Sequence, residues 1–217
     1  MANMNDLPFE RGSTFYGIGA TIDSNNLQGV NLEGLEKWVE DVSPPSTTVG
    51  AQLARSGRLV KIRCVRNMSA APLLPKQVVQ VNKGNPGRVT GLVQTTGDKG
   101  FPVDEFLPAG GCPQYDLCWV VVNGPAMVKT PMTNLFGGAD IAAGDPLTAA
   151  SSNSGTTQTG TTAAGGRIAG IQPLAATDVA STEAAVLLAA RLIGSAISGR
   201  TTAETNADML IDVGNYN

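Results

Sequence analysis

The run Leu117-Cys118-Trp119-Val120-Val121-Val122-Asn123-Gly124-Pro125 constrains the fold more than any other stretch of the chain. An unbroken series of apolar, largely β-favouring side chains closed by Asn-Gly-Pro reads as a strand followed by a turn. Other short Val/Ile-rich runs in the central and C-terminal regions end on similar punctuation: Gly-Asn, Gly-Asp or Gly-Pro. A chain patterned in this way builds a sheet-rich body with loops. It also contains no histidine, which removes Ser-His-Asp and Cys-His nucleophilic sets. Structure rather than catalysis is the leading expectation.

With 217 residues, a globular chain is expected to bury roughly 70% of its unfolded surface, enough for one large sheet domain or two small ones. Charged residues make up 15% and the formal net charge is −3. That share is below the usual quarter for a soluble protein, as expected if much of the surface meets other subunits. Mild acidity argues against gripping a phosphate backbone, so no direct nucleic-acid partner is expected. The longest apolar-leaning run, Ala184 to Ile197, is short and is interrupted by Arg191, so no membrane span is expected. Met1 to Asp6 has no basic stretch feeding an apolar one, and assembly in the cytoplasm is the default reading. Cys64, Cys112 and Cys118 form no CxxC pair. Buried free thiols are the favoured reading, with no metal and no cofactor.

Two regions are expected. Residues 1–50 read as an extended N-terminal arm crossing a neighbour, with an ordinary packed lead-in as the equal alternative. Glycines punctuate the region, and Ser43-Pro44-Pro45-Ser46 closes it with a stiff break. Within it, Leu32, Leu35 and Val39 fall at helical spacing, with Asn31 as cap and Glu33 near the positive end. The spacing predicts a short helix over Leu32 to Val39.

Residues 51–217 read as a β-rich, partner-binding body: a compact antiparallel sheet or a barrel-like one. In Val60-Lys61-Ile62-Arg63-Cys64 the even positions are apolar and the odd ones basic, which puts Val60, Ile62 and Cys64 on the core face. Further strands are expected at Gln77–Val81, Arg88–Gln94, Leu117–Asn123, Ala126–Thr130, Arg167–Gln172 and Met209–Val213. Turns are expected at Lys83–Gly87, Gly97-Asp98 and Asn123-Gly124. The segment 146–166 carries no charge apart from its flanks and reads as a polar hairpin with a flexible apex, or as a surface loop. Asp178 to Ala190 predicts a C-terminal helix capped by Ser181, and Arg191–Ile197 a strand that rejoins the sheet.

The acid–base inventory is thin. Asp104 with Glu105, and Asp140 with Asp145, are the local acidic pairs. Neighbouring strand residues point to opposite faces, so the first is a poor glycosidase pair unless a turn re-aims it. Arg58, Lys61, Arg63 and Arg66 form the densest basic cluster. A solvated strand face laced with salt bridges explains it most simply; an acidic protein partner is the functional alternative. Trp119 alternates with Leu117 and Val121 and reads as a core or subunit-contact residue.

The order of motifs carries a resemblance. Arg63-Cys64-Val65-Arg66-Asn67 precedes Leu74-Pro75-Lys76 and Gly100-Phe101-Pro102-Val103-Asp104-Glu105. The Leu117–Pro125 run follows, then Ala143-Gly144-Asp145-Pro146-Leu147, Gly165-Gly166-Arg167-Ile168-Ala169-Gly170 and Thr205-Asn206-Ala207-Asp208-Met209-Leu210. From about residue 58 onward the chain resembles a tailed-bacteriophage head structural protein of the capsid decoration (cement) class. The resemblance implies a sheet-rich, non-enzymatic protein on the capsid exterior of the virion. It also implies the major capsid protein as partner, subunits clamped across their seams, and a homo-oligomer with a trimer favoured. Phe9, Phe15, Tyr16, Trp38, Arg58, Lys61 and Arg63 are the expected partner contacts. A fibre, baseplate or other attachment component is the alternative, with a carboxylate-dependent hydrolase behind both.

Overall fold

The computed structural model describes residues 11–15, 32–43, 53–82, 84–90, 100–129, 142–144, 146–149, 171–173, 192–199 and 208–214. Ten strands run in chain order: β1 (Glu36–Val42), β2 (Ala54–Asn67), β3 (Val78–Asn82), β4 (Asn85–Thr90), β5 (Gly100–Pro102), β6 (Leu117–Lys129), β7 (Pro146–Ala149), β8 (Ile171–Pro173), β9 (Leu192–Ala196) and β10 (Asp208–Val213). They join into one open sheet in the order β5-β3-β4-β2-β6-β10-β9-β7-β8, with β1 attached to β2. The fold is mainly β, and the described residues include no helix. The barrel-like alternative gives way to this open sheet, which mixes antiparallel pairs with one parallel pair, β2 with β4.

β2 and β6 form the centre. They pair antiparallel from Lys61↔Asn123 to Arg66↔Leu117. Val60, Ile62 and Cys64 of β2 join Leu117, Trp119 and Val121 of β6 in one buried cluster, as the period of two requires. The intervening Val65, Cys118 and Val120 join Phe101, Val103, Val79 and Leu73 in a second. Both faces of the central pair are therefore covered, which is why Leu117–Val122 is an uninterrupted apolar run rather than an alternating one.

The Asn123-Gly124 hairpin turn is not formed. β6 continues through it, and the strands expected at Leu117–Asn123 and Ala126–Thr130 are one. Instead the register slips by one residue between Lys61 and Ile62, and β6 exchanges β2 for β10 at this point, where Gly124↔Val213 begins the next ladder. Gly124 has φ of 95°, and a Cβ there would stand 2.8 Å from the Leu59 carbonyl oxygen. The Asn-Gly-Pro signal thus marks a bulge and a change of partner.

The helix expected over Leu32 to Val39 is also corrected. Residues 32–35 form a turn, with Leu35 N donating to Leu32 O at 3.1 Å, and β1 follows. Leu32 is buried, and Leu35 and Val39 pack against the first cluster. Phe15 forms a bridge with Leu117. Residues 11–15 and 32–43 are therefore tied into the sheet rather than forming a free arm. The turn expected at Lys83–Gly87 is tighter than its punctuation suggested, because β4 already begins at Asn85. The expected C-terminal helix over 178–190 and the polar stretch 151–162 lie outside the described residues. So do Phe9, Tyr16, Asp140 and Asp145.

Candidate functional site

β1 and β2 form an antiparallel ribbon with the register Glu36↔Arg63, Trp38↔Lys61 and Glu40↔Leu59. Residues directly opposite one another share a face, so these side chains all stand on the same surface. Lys37 and Val39 of β1 take the other face, and Asp41 falls at the irregularity between Glu40 and Val42. The Lys37 ammonium sits 4.8 Å from the centre of the Trp119 ring, and Asp41 is buried.

The outward face combines exposed apolar side chains with paired charge. Trp38 is 55% and Leu59 56% exposed. The Glu36 carboxylate accepts from Lys61 Nζ at 2.5 Å and from Arg63 Nη2 at 2.6 Å. Burial pushes the Glu36 carboxyl up, but these two cations outweigh it and the net shift is downward. The Lys61 ammonium lies 5.9 Å from the Trp38 ring centre, and the Arg63 guanidinium 5.6 Å from that of Phe101. Glu40 is exposed and has no ion-pair partner among the described residues. Leu53, also exposed, accepts from Ser43 N through its carbonyl oxygen at the far end of the ribbon.

Of the expected contact residues, Trp38, Lys61 and Arg63 come together on this face. Arg58 lies further along β2 and reaches Asp212 of β10 at 2.7 Å. Phe15 is half-buried beside the first cluster instead. Leu59 and Glu40 were not anticipated here. Leu59 had a legible signal, since Leu59-Val60 places two apolar residues side by side in a strand and only one can face the core.

The basic cluster is matched internally. Arg66, expected on a solvated face, is buried; it pairs with Glu33 and donates to the Tyr115 carbonyl oxygen at 2.6 Å. Arg88 joins the same Glu33 at 3.1 Å.

The acidic pair is re-aimed by a turn, since Leu107 N donates to Asp104 O. Each carboxylate meets its own arginine. Asp104 accepts from Gly12 N at 2.9 Å and from Arg11. Glu105 meets Arg55, whose Nη2 also donates to Asp41 Oδ1 at 2.6 Å. Burial pushes the Glu105 carboxyl up, against the opposing pull of Arg55. General acid–base work needs a carboxylate within hydrogen-bond reach of the proton it moves, whereas Asp104 spends its oxygens on Arg11 and the Gly12 N–H, and Glu105 spends both of its on Arg55. The arrangement ties β1 and β2 to the turn that follows β5.

No family model matches the chain, and no curated protein matches it. Among solved structures it is similar to the N base of head fiber gp8.5 in bacteriophage phi29, with a TM-score of 0.35 and 12% sequence identity, covering 70% of this chain and 92% of that one.

Proposed function

We propose that this chain is a non-enzymatic virion structural protein that binds an assembled capsid shell and stabilises it across the seams between subunits, with the major capsid protein as its partner. One observation carries the reading. The described carboxylates and guanidinium groups of the candidate acid–base region are consumed in internal pairs, while Trp38, Leu53, Leu59 and Ile197 are left in water. Exposed apolar side chains on several strands suit a protein that makes many small contacts with neighbours. The order of motifs from residue 58 onward points the same way. Contacts that exist only in the bound state stabilise a shell by mass action, and no bond chemistry is involved. The same reading has the chain self-associate, with three copies as the favoured unit.

Purified tagged chain incubated with phage particles and imaged by electron cryomicroscopy tests this. Copies distributed regularly over the head, with the shell surviving higher temperature, are the expected result. Copies confined to a tail or a single vertex would replace the proposal with an attachment role.

A further inference from the structure

We propose that the buried charged network of Arg11, Asp41, Arg55, Asp104 and Glu105 holds one proton on its Asp41–Glu105 pair and acts as a pH-sensitive latch, which closes the β1–β2 ribbon onto the turn after β5 and loosens as pH rises. The latch belongs to the single chain and works in the same way whatever partner that chain meets.

Four segments meet in the network. Asp41 comes from β1, Arg55 from β2, Asp104 and Glu105 from the turn after β5, and Arg11 from the chain ahead of β1. Asp104 accepts from Arg11 Nε at 3.1 Å, from Arg11 Nη2 at 3.0 Å and from Gly12 N at 2.9 Å. Glu105 accepts from Arg55 Nη1 at 3.2 Å and from Nη2 at 2.9 Å. Asp41 Oδ1 accepts from Arg55 Nε at 3.0 Å and from the same Nη2 at 2.6 Å.

The charges do not balance. Three carboxylates face two guanidinium groups, and the side chains of Asp41, Asp104 and Glu105 are 0%, 0% and 2% exposed. Among the described residues no third cation pairs with them. Arg11 answers Asp104, so Arg55 is left with two carboxylates on one nitrogen. The oxygens are also unequally served, since Asp41 Oδ2 is buried without a hydrogen-bond partner. Arg11 Nη1 is buried without one too, on a guanidinium stacked 4.4 Å from the centre of the Phe106 ring. Two carboxylates crowded onto one cation out of water are relieved by binding a proton. One proton makes the whole network neutral, and it belongs to the pair rather than to either residue alone.

The direction of the switch follows from the groups around Glu105: Arg55 of β2, Asp41 of β1, Arg11, and its own neighbour Asp104. Burial pushes the Glu105 carboxyl up and outweighs the pull of Arg55 and Arg11, and the Asp104 charge pushes the same way. The contribution of a carboxyl raised in the folded chain is fully present below the unfolded value, about 4.3, and is lost as pH climbs through the raised one. Glu36, also on β1, is shifted down instead, so its contribution changes below this span.

Hydrogen exchange of the full chain, read by mass spectrometry and corrected at each pH for the intrinsic amide rate, tests the latch. From about pH 4.5 to about pH 7.5, protection of β1 should fall at least about threefold, through openings that leave the more protected amides of β6 closed. Glu105→Gln and Asp41→Asn each replace one carboxylate with a neutral carboxamide, and each should flatten that fall. Comparison with these variants cancels the other titrating groups, including Asp116, whose carboxyl burial also raises. Carbon-13 NMR of the carboxyl-labelled native chain does not depend on the variants folding, and it should show the Asp41–Glu105 pair releasing one proton within the same span. Both carboxyls ionised throughout the span, a fall equally steep in native chain and variants, or β1 exchanging only when β6 does, overturns the proposal.

Discussion

Replacing Arg55 with leucine removes the cation shared by Asp41 and Glu105, and the structure sets both the size and the pH dependence of the effect. Arg55 Nη2 lies 2.6 Å from Asp41 Oδ1 and 2.9 Å from Glu105 Oε1, and both carboxylates are almost wholly buried. Removing one partner of a buried pair costs about 3–5 kcal/mol, because the other charge is left without compensation. The Arg55 side chain is 16% exposed, so water recovers part of this, and a loss of about 3 kcal/mol near pH 7 is expected.

Acid should soften the loss. Burial already raises the Glu105 carboxyl above its ordinary value in the presence of Arg55. A carboxyl whose folded pKa is raised weakens the fold as pH climbs through that pKa, and its penalty disappears below the unfolded value. Without the guanidinium the folded pKa rises further, so lowering the pH to about 5 lets Glu105 take up a proton and should recover at least about 1 kcal/mol. Urea unfolding followed by tryptophan fluorescence at both pH values measures this, and adding Glu105→Gln to Arg55→Leu should recover a similar amount near pH 7. A loss under about 1 kcal/mol near pH 7, or one equally large at both pH values, would refute the reasoning.

Three other perturbations test separate parts of the fold. A Cβ at residue 194 would stand 2.0 Å from the Asp212 carbonyl oxygen, so Gly194→Ala must part β9 from β10. It should cost at least about 2 kcal/mol, roughly 4–8 °C in Tm for a chain of this size, and an unchanged melting curve would contradict the close approach. Burial pushes the Cys64 thiol up to about 12, and Cys112 and Cys118 are likewise buried and free; a thiol reagent at mildly alkaline pH should therefore modify none of the three until denaturant is added, whereas rapid labelling of the native chain would refute their burial. Ile62 is fully buried in the first cluster, and Ile62→Ala should cost about 2–5 kcal/mol in urea unfolding, compared with under about 1 kcal/mol for exposed Leu59→Ala.

How much of this was legible in the sequence varied by segment for physical reasons. The alternation in Val60–Cys64 identified the core face because basic residues occupied every outward position. β1 concealed itself because charged residues also face inward: Lys37 lies over the Trp119 ring and Asp41 meets Arg55. With polar residues on both faces, the period of two was lost and an incidental spacing of Leu32, Leu35 and Val39 read as helix. Asn123-Gly124-Pro125 reads as a turn, and the turn is not there, because local sequence does not distinguish a reversal from a strand changing partners. The contact face was half legible. Trp38, Lys61 and Arg63 were singled out separately, yet only the β1–β2 register brings them together with Leu59 and Glu40. The charge pairings lay beyond local reading, since Arg55 and Glu105 are 50 residues apart and Arg58 and Asp212 are 154 apart.

The exchange of partners along β6 has a consequence for how the chain is made. The first buried cluster draws on Leu32, on β2 and β6, and on Met209, Ile211 and Val213 of β10. Its final ladder pairs Gly124 with Val213, contacts that are far apart in sequence. Among the described strands only β10 pairs with the second half of β6, so a ribosome that has released β6 must still deliver Asp208 to Val213 before that ladder can form. During that interval Ala126 and Val128 are without the β10 side chains that later cover them. Long-range pairing of this kind slows folding, and an uncovered strand edge invites association between nascent chains. The cost of the long, shared strand thus falls on synthesis; slower translation after β6 should lower the yield of folded protein, and a chaperone that holds β6 should raise it.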